Sequence, residues 1–215
     1  MNDTLDSRAL RRTDCYGQRF MRPGRYAYSV LPAGGHILTD DAPYSVVVQD
    51  RASNDEMQQH TVQIGHDGHT FRPNQPEITI AEGDLVLWHC PVSTPTGYEV
   101  VGQKTFFASA SLTNECGYSH AFGIVGDYEW VDANGGGARG VVHVIDPACR
   151  TADDLRAWRE TLSAAHLVTI VDGQVDPAEL TVTVGQTVYF TVITGAGVTI
   201  TDSRLVEAAA SCAAS

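Results

Sequence analysis

The chain of 215 residues lacks three features that would assign it to a common functional class. No apolar run approaches the roughly 18 residues of a membrane-spanning helix, so we expect no transmembrane segment. The opening MNDTLDSRALRRTDC contains no apolar stretch and therefore no visible export signal. This leaves the compartment open: cytoplasmic by default, extracellular or at the cell surface if a signal was removed. Only 14 Lys and Arg stand against 26 Asp and Glu, and this charge of −12 argues against nucleic-acid binding.

The cysteines also lack a familiar pattern. Their number is odd, and no two have the C-x-x-C spacing of a zinc site or a thioredoxin-like redox centre. They could be free thiols, or they could form one or two disulfides, which would imply an oxidising compartment. The five residues are Cys15, Cys90, Cys116, Cys149 and Cys212.

Most of the sequence has the pattern of short β-strands. Runs such as VQIGHDGHTF, ITIAEGDLVLW, GVVHVI and TVYFTVI alternate or are rich in β-branched residues, and Gly, Pro and Asp bound them. One segment is typical of a helix, because Thr151 or Asp153 can cap it and Leu155, Trp158 and Leu162 then share one face. We therefore predict an all-β protein made of β-sandwiches with one linker helix.

The chain resembles itself when it is shifted by 102 residues. The shift places Tyr16 on Tyr118, and Trp88 on Phe190. It also aligns several glycines and aromatic residues in two separate regions: Phe20, Gly24 and Tyr26 with Phe122, Gly126 and Tyr128, and Glu77, Thr79 and Gly83 with Glu179, Thr181 and Gly185. These matches at one offset predict an internal repeat of about 102 residues.

The repeat predicts a division of the chain into five segments. Residues 60–146 are expected to form a complete domain, flanked by linkers at 51–59 and, with the helix, at 147–166. Residues 5–50 match the second half of that domain, and residues 167–209 match its first half. The two terminal halves are therefore expected to complement each other, within one chain or between neighbouring chains.

The predicted complete domain resembles the cupredoxin family, the small copper proteins of the plastocyanin and azurin kind. The resemblance rests on HTFRPNQPEITIAEGDLVLW, on YSHAFGIVGDYEW and on the final GVVHV. It implies two cupredoxin-like Greek-key β-sandwiches, one contiguous and one assembled from the N- and C-terminal segments.

The same resemblance implies where a type 1 copper site would lie. Its Cys, His and Met ligands fall on positions that hold no copper ligand here, so we expect no copper cofactor and no electron transfer of the usual kind. The vacated positions are Gly97, Asp132, Gly135 and Ala138, and the second copy offers Thr199, Val30, Ala33 and His36.

A displaced metal site is the alternative. Its candidates are His66 and His69 in a predicted turn, and His89 with Cys90 at the end of a strand. No ligand set of matched spacing completes a coordination shell, so we interpret them as turn and strand residues.

Catalytic patterns are equally absent from the sequence. Loop carboxylates such as Asp127 could act as acids or bases, but no nucleophile–base pair, phosphate loop or cofactor fingerprint accompanies them. The Gly-rich DANGGGARG is followed by no helix and is interpreted as a loop tip. We therefore predict that the protein is not an enzyme.

The split unit leads to the functional prediction. Half a sandwich leaves an apolar face in water and unpaired strand edges, so each terminal half needs a mate. We predict a non-catalytic structural protein that associates head to tail with itself, as in a filament, or joins a larger protein assembly. The alternatives are a copper or electron-transfer protein and an accessory subunit of a redox or membrane complex.

Cys15 and Cys212 lie near the split and could form a disulfide there.

Overall fold

The computed structural model describes residues 4–35, 42–52, 55–103 and 107–213. His36, one of the vacated copper positions, lies outside these residues. The described strands are β1 (Asp14–Arg19), β2 (Gly24–Pro32), β3 (Tyr44–Gln49), β4 (Gln59–His66), β5 (Phe71–Pro73), β6 (Glu77–Ala81), β7 (Leu85–His89), β8 (Tyr98–Gly102), β9 (Cys116–Ala121), β10 (Gly126–Asp132), β11 (Arg139–Ile145), β12 (Ala165–Val171), β13 (Gln174–Asp176), β14 (Glu179–Thr183), β15 (Thr187–Thr194) and β16 (Ile200–Asp202). The helices are α1 (Ala152–Thr161) and α2 (Ser203–Ala213).

The predicted all-β class is confirmed. The strands form one eight-stranded sheet, in the order β13-β12-β15-β9-β1-β7-β4-β5, and two four-stranded sheets. The smaller sheets have the orders β6-β3-β2-β8 and β14-β11-β10-β16. Alternating residues of the long sheet face the two small sheets, which gives a layered, sandwich-like arrangement.

Strand pairing divides the chain differently from the expected domain 60–146. β1 pairs with β7, β2 with β8 and β3 with β6, so residues 14–49 complete a sandwich with residues 59–102. β9 to β11 pair instead with β12 to β16. Each half therefore takes its numbered strands from one contiguous stretch of the chain, in an order permuted relative to the predicted domain. Comparing the sequence with itself cannot show whether residues 14–49 pair with residues 59–102 or with the C-terminal segment. The short link between β3 and β4 favours pairing with residues 59–102, which are nearer in the chain.

The two halves share the long sheet through β1 and β9. These strands run antiparallel, with Tyr16 opposite Tyr118 and Gly17 opposite Gly117. Tyr16 and Tyr118 are also the residues that the 102-residue shift superposes. The pairing therefore has the character of an internal two-fold contact, in which equivalent strands of the two halves meet.

The chain ends meet over three residues rather than over two half-sandwiches. Ser7 N–H donates to the Ile200 carbonyl (2.9 Å), and Asp202 N–H donates to the Leu5 carbonyl (2.8 Å). In the first half, residues 107–109 make the corresponding bonds: Ser109 N–H to the Val100 carbonyl (2.9 Å) and Gly102 N–H to the Phe107 carbonyl (2.6 Å). The N-terminal segment 5–7 thus pairs alongside β16, and residues 107–109 pair alongside β8 in the same way.

The helical prediction is confirmed for α1 and incomplete for the chain. Thr151 caps α1 and forms a capping box with Asp154. α2, with the sequence SRLVEAAASCA, was not predicted.

Aromatic rings fill the interior of both halves. In the first half, Trp88 of the long sheet lies 5.5 Å from Tyr28 of the small sheet, measured between ring centroids. In the second half, Phe190 and Trp130 meet in the same way at 5.3 Å. All four side chains are buried, so the core lies between the sheets and leaves the outer face of the long sheet to solvent.

Candidate functional site

The structure groups the vacated copper positions differently from the sequence prediction. Asp132 lies beside Thr199, whose backbone N–H donates to Asp132 Oδ1 (2.8 Å). Gly97 lies instead beside Ala33, whose N–H donates to the Gly97 carbonyl (2.9 Å). This grouping follows from the strand pairing, because Asp132 and Thr199 both belong to the second half of the chain, and Gly97 and Ala33 both belong to the first.

Asp132 is the residue that the sequence resemblance aligns with the copper-binding cysteine. It is buried, and besides Thr199 it accepts hydrogen bonds from Asn134 N–H (3.0 Å) and Gly136 N–H (2.9 Å). These three backbone donors close the loop that follows β10 and join it to Thr199, in the segment just before β16. The carboxylate therefore stabilises the structure of this loop.

Two neighbouring positions also serve the loop. Gly135 has a φ of +80°, a left-handed conformation that favours glycine at this tight turn. Ala138 is buried, and its carbonyl accepts the Asp132 N–H (2.8 Å). Neither side chain offers a donor atom to a metal.

The Gly97 position is closed by the chain itself. A Cβ atom at Gly97 would lie 2.7 Å from the carbonyl carbon of Ala9, so a histidine there would require the backbone to move. The neighbouring strand pair places Val30 opposite Val100, and both are buried. An imidazole ligand is therefore sterically excluded at this position.

His66 ends β4, and His69 lies in the turn between β4 and β5. Gly68 N–H approaches His66 Nδ1 (3.3 Å), and the His66 ring packs on Phe71 with centroids 4.5 Å apart. His69 is exposed, and its N–H donates to Asp67 Oδ1 (3.0 Å). The turn is thus held by Asp67, and the two histidines carry no shared ligand geometry.

His89 and Cys90 point to opposite faces of the long sheet, because they are consecutive in and after β7. Cys90 is buried, its Sγ contacts the Val92 carbonyl (3.5 Å), and burial raises the pKa of its thiol. His89 lies opposite Cys15 of β1 on the solvent face. Within the described part of the chain, no group of three or more His, Cys, Asp or Glu residues could hold a metal ion.

A buried polar cluster that the sequence analysis did not identify joins the two halves. His120 Nδ1 lies 2.6 Å from Asp14 Oδ1, and the Tyr118 hydroxyl donates to the same oxygen (2.8 Å). Arg11 N–H donates to the other oxygen, Asp14 Oδ2 (2.7 Å). All three side chains are about 1% exposed. The 102-residue shift could have identified them, since it aligns Asp14 with Cys116 and His120 with Gln18.

Asp84 forms a second buried polar cluster, at the turn before β7. Burial raises its carboxyl pKa, but hydrogen bonds from Gln58 N–H, His60, Arg51 and Ala81 N–H together hold the pKa well below its usual range. His60 Nε2 lies 2.8 Å from Asp84 Oδ2, and Arg51 forms an ion pair with the other oxygen. This cluster fastens the segment before β4 to the sheet.

A cleft of about 700 Å³ opens where the two halves meet, on the outer face of the long sheet. It lies at one end of the β1–β9 ladder, and Arg11, Arg12, Cys15, His89 and Tyr189 are among its lining residues. A smaller cleft of about 270 Å³ lies at the other end of the ladder and includes Arg19, Leu85, Leu87 and Glu115.

Cys15 lies between these clefts and lines both of them. Burial raises the pKa of its thiol, a hydrogen bond with Ser119 lowers it, and the charge of Asp14 raises it, with a net increase. The thiol is therefore protonated at neutral pH and is a poor nucleophile. Cys15 and Cys212 are both free thiols, and Cys212 lies on α2. The possible disulfide between them stays a prediction.

Taken together, the fold and these sites define an all-β protein of two sandwich-like halves joined through a continuous sheet. Among the described residues, neither helix has the length and apolar character needed to cross a membrane. No protein-family model, curated protein or solved structure matches the chain. The cupredoxin resemblance therefore rests on the sequence motifs alone.

Proposed function

We propose that the protein is a non-catalytic structural protein, built of cupredoxin-like sandwiches without copper, that associates with further copies of itself. The arrangement of Asp132 is the main support. Its carboxylate is engaged by the N–H groups of Asn134, Gly136 and Thr199, at the position of the family's copper thiolate. A side chain committed to three backbone donors fastens a loop and is not available to bind substrate or metal.

The chemistry of the remaining donors supports the same proposal over a displaced copper site. A type 1 copper site requires a thiolate beside imidazoles. Cys90 lies on the inner face of β7, whereas His89 lies on the outer face, and burial opposes ionisation of the Cys90 thiol. β4 and β7 run parallel with Gln63 opposite His89, so His66 lies three residues beyond this pair along β4. Among the described residues, however, these candidates form no group of three that could hold a metal ion.

Self-association is proposed to use the N-terminal segment 5–7. The expected pairing of residues 5–50 with 167–209 is reduced to this segment against β16, where Leu5 is fully buried. The segment is joined to its own half by the Leu10–Tyr98 bridge. If the segment 5–7 of one chain pairs with β16 of the next chain, the same hydrogen bonds form between chains. Repetition of this contact gives a head-to-tail polymer.

A disulfide trap distinguishes exchange from closure. Asp6 and Thr201 are directly opposite in an antiparallel bridge, so the D6C/T201C variant places two thiols at disulfide distance. Cys149 and Cys212, which are exposed, are replaced by Ser in the background. On a non-reducing gel, the proposal predicts covalent multimers whose proportion rises with protein concentration, and the D6C single variant gives no such series. A fast-migrating monomer alone at every concentration would contradict exchange.

A copper titration tests the other part of the proposal. The purified chain is titrated with Cu(II) and followed by visible absorption. We expect no intense thiolate–copper band, both for the unmodified chain and for the C90S variant. An intense band that C90S abolishes would favour the displaced copper site and contradict the proposal.

A further inference from the structure

We propose that the 700 Å³ cleft between the two halves binds a small organic anion, a carboxylate or phosphate attached to a flat apolar group. The site is independent of copper loss and of self-association, because both of its walls belong to one chain. Residues of β1, β7, β9 and β15 form the floor, and the segment before β1 contributes Arg11 and Arg12 at the rim.

The charge of the cleft differs from that of the protein. The chain carries 26 acidic residues and a formal charge of −12, yet none of the described residues that line the cleft is acidic. Its basic side chains are Arg11, Arg12 and His89, and Cys15 and Tyr189 are its other titratable groups. Most other lining residues carry hydroxyl groups: Thr13, Ser93, Thr94, Ser119, Thr187 and Tyr189. Guanidinium and hydroxyl groups together are donors that suit carboxylates and phosphates.

The two arginines at the rim are available to a ligand. Seven of the thirteen arginines form ion pairs with carboxylates, and of the other six only Arg11 and Arg12 line this cleft. The seven are Arg8, Arg19, Arg25, Arg51, Arg72, Arg156 and Arg204. Arg11 and Arg12 are exposed, and within the described ranges neither guanidinium has a carboxylate partner. In a chain with an excess of acids, two adjacent unpaired arginines at a cleft favour an external anion.

Hydrogen bonds with Asp14 hold the backbone of the turn that carries these arginines. Arg11 N–H donates to Asp14 Oδ2 (2.7 Å), and Asp14 N–H donates to the Arg11 carbonyl (3.0 Å). The Asp14 carboxylate is itself held by Tyr118 and His120. Its charge is thus engaged in the buried cluster, and the turn at the rim is ordered before any ligand binds.

The other end of the β1–β9 ladder provides an internal comparison. The 102-residue shift aligns Arg11 and Arg12 with Thr113 and Asn114. In the smaller cleft at that end, Arg19 lies 3.9 Å from Glu115, measured from Nε to Oε2. Equivalent strands therefore build two clefts, and only the larger one has basic residues without a carboxylate among its lining residues.

The shape and lining of the larger cleft define the ligand class. The shift aligns Leu85 and Leu87 of the smaller cleft with Thr187 and Tyr189 of the larger one. Tyr189 is 41% exposed, so its ring offers a flat face on which an apolar group can stack. The volume lies within the range of small-molecule sites, roughly 300–1,000 Å³.

The test uses phenyl phosphate, benzoate and inorganic phosphate as probes with the full chain, measured by isothermal titration calorimetry at low ionic strength. We expect binding of phenyl phosphate or benzoate, and weaker binding of inorganic phosphate. The R11Q/R12Q variant should weaken that binding about tenfold or more, because charge-assisted hydrogen bonds are lost. The matched control R25Q/R72Q removes the same charge outside the cleft and should leave binding unchanged.

A second variant tests the aromatic contact. Y189S should weaken binding of the aromatic probe but not of inorganic phosphate. The proposal is overturned if neither aromatic probe binds the unmodified chain, if R11Q/R12Q binds as well as R25Q/R72Q, or if inorganic phosphate binds as tightly as phenyl phosphate. Thermal unfolding of each variant verifies that it is folded.

Discussion

His120 Nδ1 and Asp14 Oδ1 lie 2.6 Å apart, although the two residues are 106 positions apart in the chain. Asp14 belongs to β1 and His120 to β9, the strands through which the two halves share the long sheet. Both side chains are about 1% exposed. The pair therefore couples the halves through a buried polar contact, where loss of either partner leaves a buried group unsatisfied.

This contact predicts unequal effects of two substitutions. D14A removes the acceptor of both His120 and Tyr118 and should lower the free energy of unfolding by about 3 kcal/mol. H120Q should cost less, because the equivalent position of the first half holds Gln18, which accepts from the Tyr16 hydroxyl (3.1 Å). Urea denaturation followed by tryptophan fluorescence measures both. Equal losses would contradict the central role given to Asp14.

The loop after β10 should depend on Asp132. D132A removes the acceptor of three backbone N–H groups and should lower the free energy of unfolding by about 2–4 kcal/mol. V30A, at the equivalent position of the first half, provides the comparison for simple loss of buried side-chain volume. Amide hydrogen exchange at Asn134, Gly136 and Thr199 should accelerate in D132A alone. Unchanged exchange there would show that the carboxylate does not hold the loop.

Two buried threonines near β16 should respond oppositely to valine. Among the described atoms, the Thr201 hydroxyl is buried and has no hydrogen-bond partner, so T201V should raise the free energy of unfolding by about 1 kcal/mol. The Thr199 hydroxyl donates to the Ala110 carbonyl (2.6 Å), so T199V should lower it by a similar amount, about 1 kcal/mol. Chemical denaturation of both variants measures the difference, and a loss of stability in T201V would refute it.

Asp84 should make stability depend on pH in the acid range. Its folded-state pKa is lowered, so its contribution is complete above the usual carboxyl pKa of about 4 and is lost as the pH falls below it. D84N should be less stable by about 2 kcal/mol at pH 7, because it weakens the contacts with Arg51 and His60. The difference between D84N and the unmodified chain should shrink progressively below pH 4. A difference that stays constant down to pH 2.5 would contradict the lowered pKa.

The local structure was predictable from sequence because its signals are local. Alternation in ITIAEGDLVLW gave β6 and β7, and Thr151 gave the start of α1. Which strands would pair was not predictable. Equivalent segments of the two copies have the same pattern, so the sequence does not show which of the two copies supplies the neighbouring strand. β1 and β9 also joined the halves in a way that no single-copy pattern encodes.

The sites were partly predictable for a related reason. The position of Asp132 in the motif identified it as a candidate. Its hydrogen bond with Thr199 was not predictable, because it depends on the strand pairing within the second half. The Asp14–His120 pair and the arginines at the cleft are departures from the repeat, at positions where the other copy holds different residues. Comparing mismatches between the copies, rather than matches alone, would have indicated both.

The size of the protein as a function of concentration tests the proposed assembly most directly. Multi-angle light scattering should give a mass that rises from 23.1 kDa in whole multiples as the concentration increases. The S7P variant lacks the N–H donated to the Ile200 carbonyl and should remain at 23.1 kDa. A mass of 23.1 kDa for the unmodified chain at every concentration would contradict self-association through residues 5–7.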